Sequence, residues 1–416
     1  MKKEPLLVIP HTFSNEFRIR GIELARGLAS HFDVYCLRWP DAIQVHGEAG
    51  LRRRLRRLGC ALSSLRPSVQ VSADGDLHFL RVPVVQPVLL QRLVGARAAL
   101  RIAARLNSWL LHRAIRRIGV PIRKVLLSAM HYDVARLLPM EVWLDIWDIH
   151  VVDEDRFSSQ EIKNYCDAIA RMASMACGVS IPNSYLQQWL KERTGLHAEV
   201  VPTGTWLDYN RHPDPGRVET IRARYALGGK YVVGYIGNHT DSSGIDFLMQ
   251  VAEYATSRAT DITFLIVGPL DDLWKPLVAK FPGNTQVIFT GPVSAQDVVN
   301  HLHCIDLGVY CSPPRFRHRA YTLPLKVVEY SSARKFVLST PLEQMGRLGW
   351  PHVLIPDYTP EGWYAAIQDV RRRTWNPDWD LLIEPYDWHS IATRLAGCLR
   401  MTEERRGAPV KHAENL

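Results

Sequence analysis

Twice along this chain a short apolar run, a polar loop, helical periodicity and another apolar run follow one another. LLVIP (6–10), RIRGIELARGLASHF and DVYCLRW form the first strand–helix–strand unit. Such a unit implies a parallel sheet, because a parallel neighbour is reached only through a long crossover. LHFLRVPVV (77–85), KVLLSAM (124–130), EVWLDIWD (141–148) and ACGVSIPNS (176–184) add strand sequence. Near 200 the pattern resets. HAEVVPTGTWLDYNRHPDPG passes from strand residues to Pro, Gly and polar residues and reads as a linker. A second series opens at KYVVGYIGN (230–238) and runs through DFLMQVAEYAT, ITFLIVGP, QVIFTGPV, AQDVVNHLHCI, IDLGVYCSP and FVLST (336–340). The tail YDWHSIATRLAGCLRMTEE has the periodicity of an amphipathic helix.

Two α/β series of similar size predict two Rossmann-like domains facing each other across a cleft. Their expected spans are 1–200 and 201–385, with a terminal helix in 386–416 packing back on the first domain. The 416 residues exceed what one core ordinarily holds. In open α/β sheets ligands bind beyond the carboxyl ends of the strands. The loops after 8–10, 144–147, 232–236, 264–267, 287–290 and 307–310 are therefore where a site is expected.

Composition removes several classes. With 47% hydrophobic and 22% charged residues the chain is globular in type. No segment approaches 18 uninterrupted apolar residues, and the first apolar run is too brief for a secretory signal, so a cytoplasmic protein is expected. The seven cysteines are scattered, without CxxC or CxxH pairs, so neither a zinc site nor a disulfide framework is expected. D-x-D occurs three times, at Asp74 and Asp76, Asp153 and Asp155, and Asp378 and Asp380. Three hits in one chain make the motif uninformative, and no metal is expected. A net charge of +9 favours anionic partners, whether nucleic acid, acidic lipid or phosphorylated substrate. Arg52, Arg53, Arg54, Arg56 and Arg57 form one basic cluster. Between 92 and 117, Arg92, Arg97, Arg101, Arg105, Arg113, Arg116 and Arg117 interleave with Leu93, Leu100, Ile102, Leu106, Trp109, Leu110 and Ile115. A basic amphipathic helix with a tryptophan reads as a membrane-surface element. The alternative is a solvated helix partly packed on the core. Nucleic-acid binding lacks any supporting aromatic or zinc pattern.

The stretch YTLPLKVVEYSSARKFVLSTPL (321–342) carries the sharpest chemistry. Pro324 suits the first turn of a helix. Lys326 then sits in that turn, where its charge opposes the helix dipole unless an anion is bound. Glu329, one turn later on the same face, can accept two hydroxyl hydrogen bonds from a ribose. An intrahelical Lys–Glu pair is the plain alternative.

PLKVVEYSSARKFVLST resembles the donor-nucleotide motif of GT-B glycosyltransferases. The likeness is to the GumK-type inverting glucuronosyltransferases and, more widely, to glycosyltransferase family 4 (group 1). It covers the whole chain in order of elements, while sharp matches are confined to a few loops. The resemblance implies that Lys326 binds the donor diphosphate and Glu329 the nucleotide ribose, with Leu325 and Tyr321 beside them. Family 4 enzymes usually carry another Glu eight positions before the second. Tyr321 stands there in this chain, which puts the standard retaining mechanism in doubt.

By the same resemblance Gly237, Asn238 and His239 approach the donor, Gly291 and Val293 line the nucleobase, and Tyr310 contacts the nucleotide. Arg317 and Arg319, with Arg315, add positive charge near the diphosphate or else belong to a solvated loop. Asp148 matches the general base of the GumK-like pattern, with Asp145 and His150 as competitors and a helix N-cap as the plain reading. His11, Arg18, Arg20 and His131 are candidates for holding an acceptor phosphate.

The expected activity is metal-independent transfer of a hexosyl or glycuronosyl group, without a cofactor. It runs from a UDP- or GDP-linked sugar to a lipid-linked or glycan acceptor hydroxyl, with inversion, at the inner face of the cytoplasmic membrane in exopolysaccharide or cell-surface polysaccharide synthesis. A nucleotide-sugar epimerase and a non-enzymatic nucleotide-sugar-binding relative are the alternatives.

Overall fold

A computed structural model describes residues 3–10, 20–38, 68–71, 77–82, 84–85, 94–128, 132–152, 156–239, 241–270, 274–279, 281, 286–316 and 321–407. The chain divides into two compact units, Met1–Pro202 with Ile391–Leu416, and Thr203–Ser390. The boundary falls within the stretch expected to be a linker. That stretch is more regular than its composition suggests: Glu199–Val200 pairs as a strand, and Leu207–Arg211 and Pro215–Arg224 are helical. Asp214 caps the latter helix by accepting from Arg217 N at 3.1 Å.

The first unit holds an eight-stranded sheet ordered β3-β4-β2-β1-β5-β6-β7-β8. Its strands are β1 (Pro5–Ile9), β2 (Asp33–Arg38), β3 (Ser68–Val71), β4 (Leu77–Arg81), β5 (Lys124–Leu127), β6 (Glu141–Asp145), β7 (Gly178–Ile181) and β8 (Glu199–Val200). All neighbours are parallel except β3, which pairs antiparallel to β4 at the edge. The central strands are apolar runs because helices cover both faces. The helices used below are α1 (Arg20–Leu28), α2 (Ala96–Ile118) and α3 (Ser159–Ala173). Helix α3 starts at a capping box between Ser158 and Glu161.

The second unit holds a six-stranded, all-parallel sheet ordered β11-β10-β9-β12-β13-β14. Its strands are β9 (Tyr231–Ile236), β10 (Ile262–Val267), β11 (Val287–Gly291), β12 (Leu307–Tyr310), β13 (Phe336–Ser339) and β14 (Val353–Leu354). Helices α4 (Ile245–Thr256) and α5 (Leu325–Ser332) follow β9 and β12. One face of this sheet packs on Phe247, Trp274, Trp363 and Ile367, the other on Leu302, Val327, Val328 and Tyr330. From β9 the chain steps outward through β10 and β11, then returns to the other side of β9 with β12. The order therefore reverses between β9 and β12, and the crevice beyond their carboxyl ends is where such sheets take ligands.

The terminal helix α6 (Trp388–Gly407) belongs from Ile391 onward to the first unit. There Arg400 donates to the His31 carbonyl at 3.3 Å and its guanidinium lies over the Phe32 ring.

Candidate functional site

The loops after β9 and β12 meet around Lys326. Pro324 is the N-cap of α5, one position earlier than the sequence suggested, and Lys326 falls in the first turn. Val327, Val328 and Tyr330 are buried, while Lys326 and Glu329 are half-buried. The Tyr330 ring fills the space beside Gly308, and its hydroxyl accepts from Ile236 N at 2.8 Å. That bond fixes α5 against the last residue of β9.

The Lys326 ammonium reaches across to β9. Its Nζ donates to the Tyr235 hydroxyl at 2.5 Å and lies 4.1 Å from the Tyr235 ring centroid. The Tyr235 hydroxyl in turn donates to the Asn238 carbonyl at 3.0 Å. Gly237 makes room for the lysine: a Cβ there would lie 2.4 Å from Lys326 Cε and 2.7 Å from Nζ. Its φ of +139° also favours glycine. The loop is anchored by Gly237 N donating to the Val267 carbonyl at 2.9 Å and by Ser243 Oγ donating to the Asn238 carbonyl at 2.9 Å.

His239 is only 1% exposed, with its ring 5.4 Å from that of Tyr235. Among the described residues the ring faces the Val267 carbonyl, and no hydrogen bond of full geometry forms at either ring nitrogen. Burial, reinforced by the Lys326 charge, pushes the imidazole down to about 4, against a smaller opposing effect of the Val267 carbonyl. His239 is thus a neutral imidazole at neutral pH beside a cation.

The remaining donor candidates divide. Tyr321 and Leu325 are half-buried beside Lys326 in sequence. Gly291 ends β11 and its carbonyl accepts from Gly268 N at 3.0 Å, while Val293 is half-buried against the apolar cluster under α5. Tyr310 is packed into that same cluster at 5% exposure. It occupies core, where a nucleotide-contacting side chain had been expected. Arg315 is exposed and lies over the Phe316 ring of its own loop. Arg317 and Arg319 lie outside the described residues, as do His11, Arg18 and His131.

In the first unit the acidic candidates separate clearly. Asp145, at the end of β6, is fully enclosed by Arg20, Ser128 and Ser180. Burial alone would raise its carboxyl, but the Arg20 charge and the three partners' hydrogen bonds outweigh this and hold it below the usual range. Arg20 also donates to the Val201 and Pro202 carbonyls at 2.8 and 2.7 Å. With its donors committed inside the fold, Arg20 is a structural residue in this arrangement, not the exposed phosphate ligand its loop position suggested. Asp148, three residues on, is half-buried, and its carbonyl accepts from the Tyr165 hydroxyl at 3.2 Å.

Asp380 of the third D-x-D is taken up by Arg334 at 2.7 Å, Arg211 at 3.4 Å and Trp375 Nε1 at 3.2 Å. Asp74, Asp76 and 153–155 lie outside the described residues. Among the described residues no group of three or more His, Cys, Asp or Glu is arranged to hold a metal ion.

Sequence reasoning missed Tyr235. Its only signal was a polar hydroxyl inside an otherwise apolar strand, YVVGYI.

Residues 230–372, all within the second unit, match the family model of Glycosyl transferases group 1. No curated protein matches the chain. Among solved structures, a sucrose-phosphate synthase from Thermosynechococcus elongatus aligns with a TM-score of 0.69 at 14% identity, over 97% of this chain and 100% of its own. HepE from Anabaena, in complex with UDP and glucose, aligns at 0.58 and 14% identity over 96% and 99%. The E. coli trehalose-6-phosphate protein bound with UDP-2-fluoro glucose aligns at 0.66 and 10% identity over 95% and 99%. At these identities the likeness is one of fold, and the narrower GumK-type resemblance rests on the sequence motifs alone. The chain has the two-domain GT-B fold, and residues 230–372 of its second unit match glycosyl transferases group 1.

Proposed function

We propose that this chain is a glycosyltransferase that moves a sugar from a nucleotide diphosphate sugar to a hydroxyl of a lipid-linked glycan, with inversion, in the building of a cell-surface or exported polysaccharide. The observation that carries the donor half is the placement of Lys326 beside Gly237 at the strand-order reversal of a group 1 domain. In this reading Lys326 meets the diphosphate and Glu329 the ribose, with neutral His239 buried in the loop beside them. Donor groups aimed at charge that develops on the leaving diphosphate lower the barrier without a metal. Asp148 takes the proton of the acceptor hydroxyl. Asp145 cannot serve, because its carboxylate is enclosed and paired with Arg20. The solved relatives bound with UDP or a UDP-sugar favour a UDP-linked donor.

The lipid-linked acceptor is supported by α2. Leu100, Ile102, Leu106 and Trp109 are exposed on this helix, the tryptophan by 52%, among the exposed Arg101, Arg105, Arg113, Arg116 and Arg117. No described helix is long and apolar enough to cross a membrane. An amphipathic basic helix of this kind lies on an anionic lipid surface, which fits a protein working at the inner face of the cytoplasmic membrane.

A panel of UDP- and GDP-sugars, read by thermal shift and by transfer to a lipid-linked acceptor extract, tests the reading. Stabilisation by one nucleotide, with transfer lost by about 10²-fold or more in a folded Lys326→Ala variant, is the expected result. Full transfer in that variant removes Lys326 from the site. Sugar release or isomerisation without acceptor would instead support an epimerase.

A further inference from the structure

The Tyr235 ring is rigidly held: it is 1% exposed within an apolar cluster that includes Phe247, Val309 and Leu338. Its hydroxyl has two jobs at once. It accepts from Lys326 Nζ at 2.5 Å and donates to the Asn238 carbonyl at 3.0 Å. The ring beneath adds a cation–π contact at 4.1 Å. A lysine ammonium on a four-carbon stem has several rotamers to choose from, and loses that freedom when it binds an anion. Here one rotamer is already selected before any anion arrives.

We propose that Tyr235 is the positioning residue for Lys326, fixing the ammonium beside Gly237 and tying it to the loop that follows β9. The proposal rests on the reading of Lys326 as the diphosphate ligand. An ammonium has three N–H donors, so Lys326 Nζ can meet a phosphate oxygen while keeping its bond to Tyr235. The same hydroxyl orients the Asn238 carbonyl, so the lysine and the Gly237–Asn238–His239 loop are set by one rigid ring. A diphosphate therefore meets a charge and a loop that are already in register, and less ordering accompanies binding.

A double-mutant cycle tests this. Tyr235→Phe keeps the ring and removes the hydroxyl. Lys326→Ala removes the ammonium. Binding of UDP, GDP and inorganic pyrophosphate is measured for the wild type, both single variants and the double variant, with thermal unfolding as the check on folding. Tyr235→Phe is expected to weaken binding about five- to twentyfold in the wild-type background and to have almost no effect in the Lys326→Ala background. If the Lys326→Ala variant binds weakly but the Tyr235→Phe effect is the same in both backgrounds, or absent from both, the positioning role is overturned while the site stands. If Lys326→Ala binds every probe as the wild type does, or no probe binds the wild type, the site reading falls and the proposal with it. Should Tyr235→Phe melt far below the wild type, Lys326→Met in the intact Tyr235 background gives the second edge. It keeps the stem and loses only the charge, and normal binding there overturns the proposal.

Discussion

Arg20 and Asp145 stand 125 positions apart in sequence and meet as a two-pronged ion pair inside the first unit, Nε to Oδ2 at 3.1 Å and Nη2 to Oδ1 at 2.8 Å. Ser128 and Ser180 complete the carboxylate at 3.0 and 2.8 Å, and the Val201 and Pro202 carbonyls take two further guanidinium hydrogens. One arginine thus ties α1 to the carboxyl ends of β5, β6 and β7 and to the segment after β8.

Removing one partner strands the other charge in a buried place. Asp145→Asn is expected to destabilise the first unit by about 3–5 kcal/mol, read as a shift in the urea midpoint. The carboxyl is held below its ordinary value in the folded state. Its contribution is therefore fully present above the unfolded value of about 3.9 and is lost as pH falls through the lower folded value. Acid unfolding should begin below about pH 4 in the wild type, and Asp145→Asn should flatten that limb.

Much of this architecture was legible in the chain, and the reason is physical. Strands buried on both faces are written as apolar runs, so LLVI, KVLL, ITFLIV and FVLS declare themselves. The missed strands lack that signature: Ser68–Val71 is exposed along its length, and β14 has two residues. Lys326 and Glu329 were legible because two charges interrupt an apolar helix. Their surroundings were not, since Tyr235 lies 91 positions away from Lys326. Arg20 was misread for the same reason: an arginine after a strand looks like a ligand until its carboxylate partner is found on another strand.

The pH response of the second unit should be set partly by His239. Burial and Lys326 hold its imidazole at about 4 when folded, against about 6.5 when unfolded. Between those values the unfolded chain binds more protons, so stability is full above about pH 6.5 and is lost as pH falls towards 4. His352, also held at about 4 by burial, acts in the same window. The melting temperature of the wild type should therefore fall from pH 7 to pH 5. His239→Asn should fall less steeply, with the remaining slope due to His352, His301 and His303, which burial also lowers. Equal slopes would show that His239 is not held neutral.

Gly237→Ala separates room from backbone freedom. The new methyl carbon would occupy the position of the Lys326 ammonium end, which is flexible and can swing away. The φ of +139° adds strain of about 1–3 kcal/mol. The variant is expected to fold with a lowered melting temperature and to bind UDP at least tenfold more weakly, because the lysine is displaced. Undiminished UDP affinity would mean that the ligand does not depend on Lys326 in its present place.

The exposed face of α2 makes a surface prediction. Wild-type protein should co-sediment with vesicles containing about one-third anionic lipid, and less so at high salt. Leu106→Glu with Trp109→Glu replaces two exposed apolar side chains by like charges to the lipid. Vesicle binding should drop at least tenfold while UDP binding is unchanged. Unaltered sedimentation would assign α2 to a solvated face.

Asp148 and Asp145 provide the last discrimination, because they lie three residues apart and have opposite surroundings. Asp145 is enclosed and ion-paired, whereas Asp148 is half-buried, with its backbone carbonyl held by Tyr165. A general base must reach the acceptor hydroxyl, which an enclosed carboxylate cannot do without breaking its pair. Asp148→Asn should therefore lower kcat by about 10²- to 10⁴-fold, with the UDP dissociation constant and the urea midpoint close to wild type. Asp145→Asn should show the reverse emphasis, a large stability loss first and an activity loss in proportion to unfolding. A Asp148→Asn variant that transfers sugar at the wild-type rate would move the base elsewhere in the first unit, and His150 would be the next residue to replace.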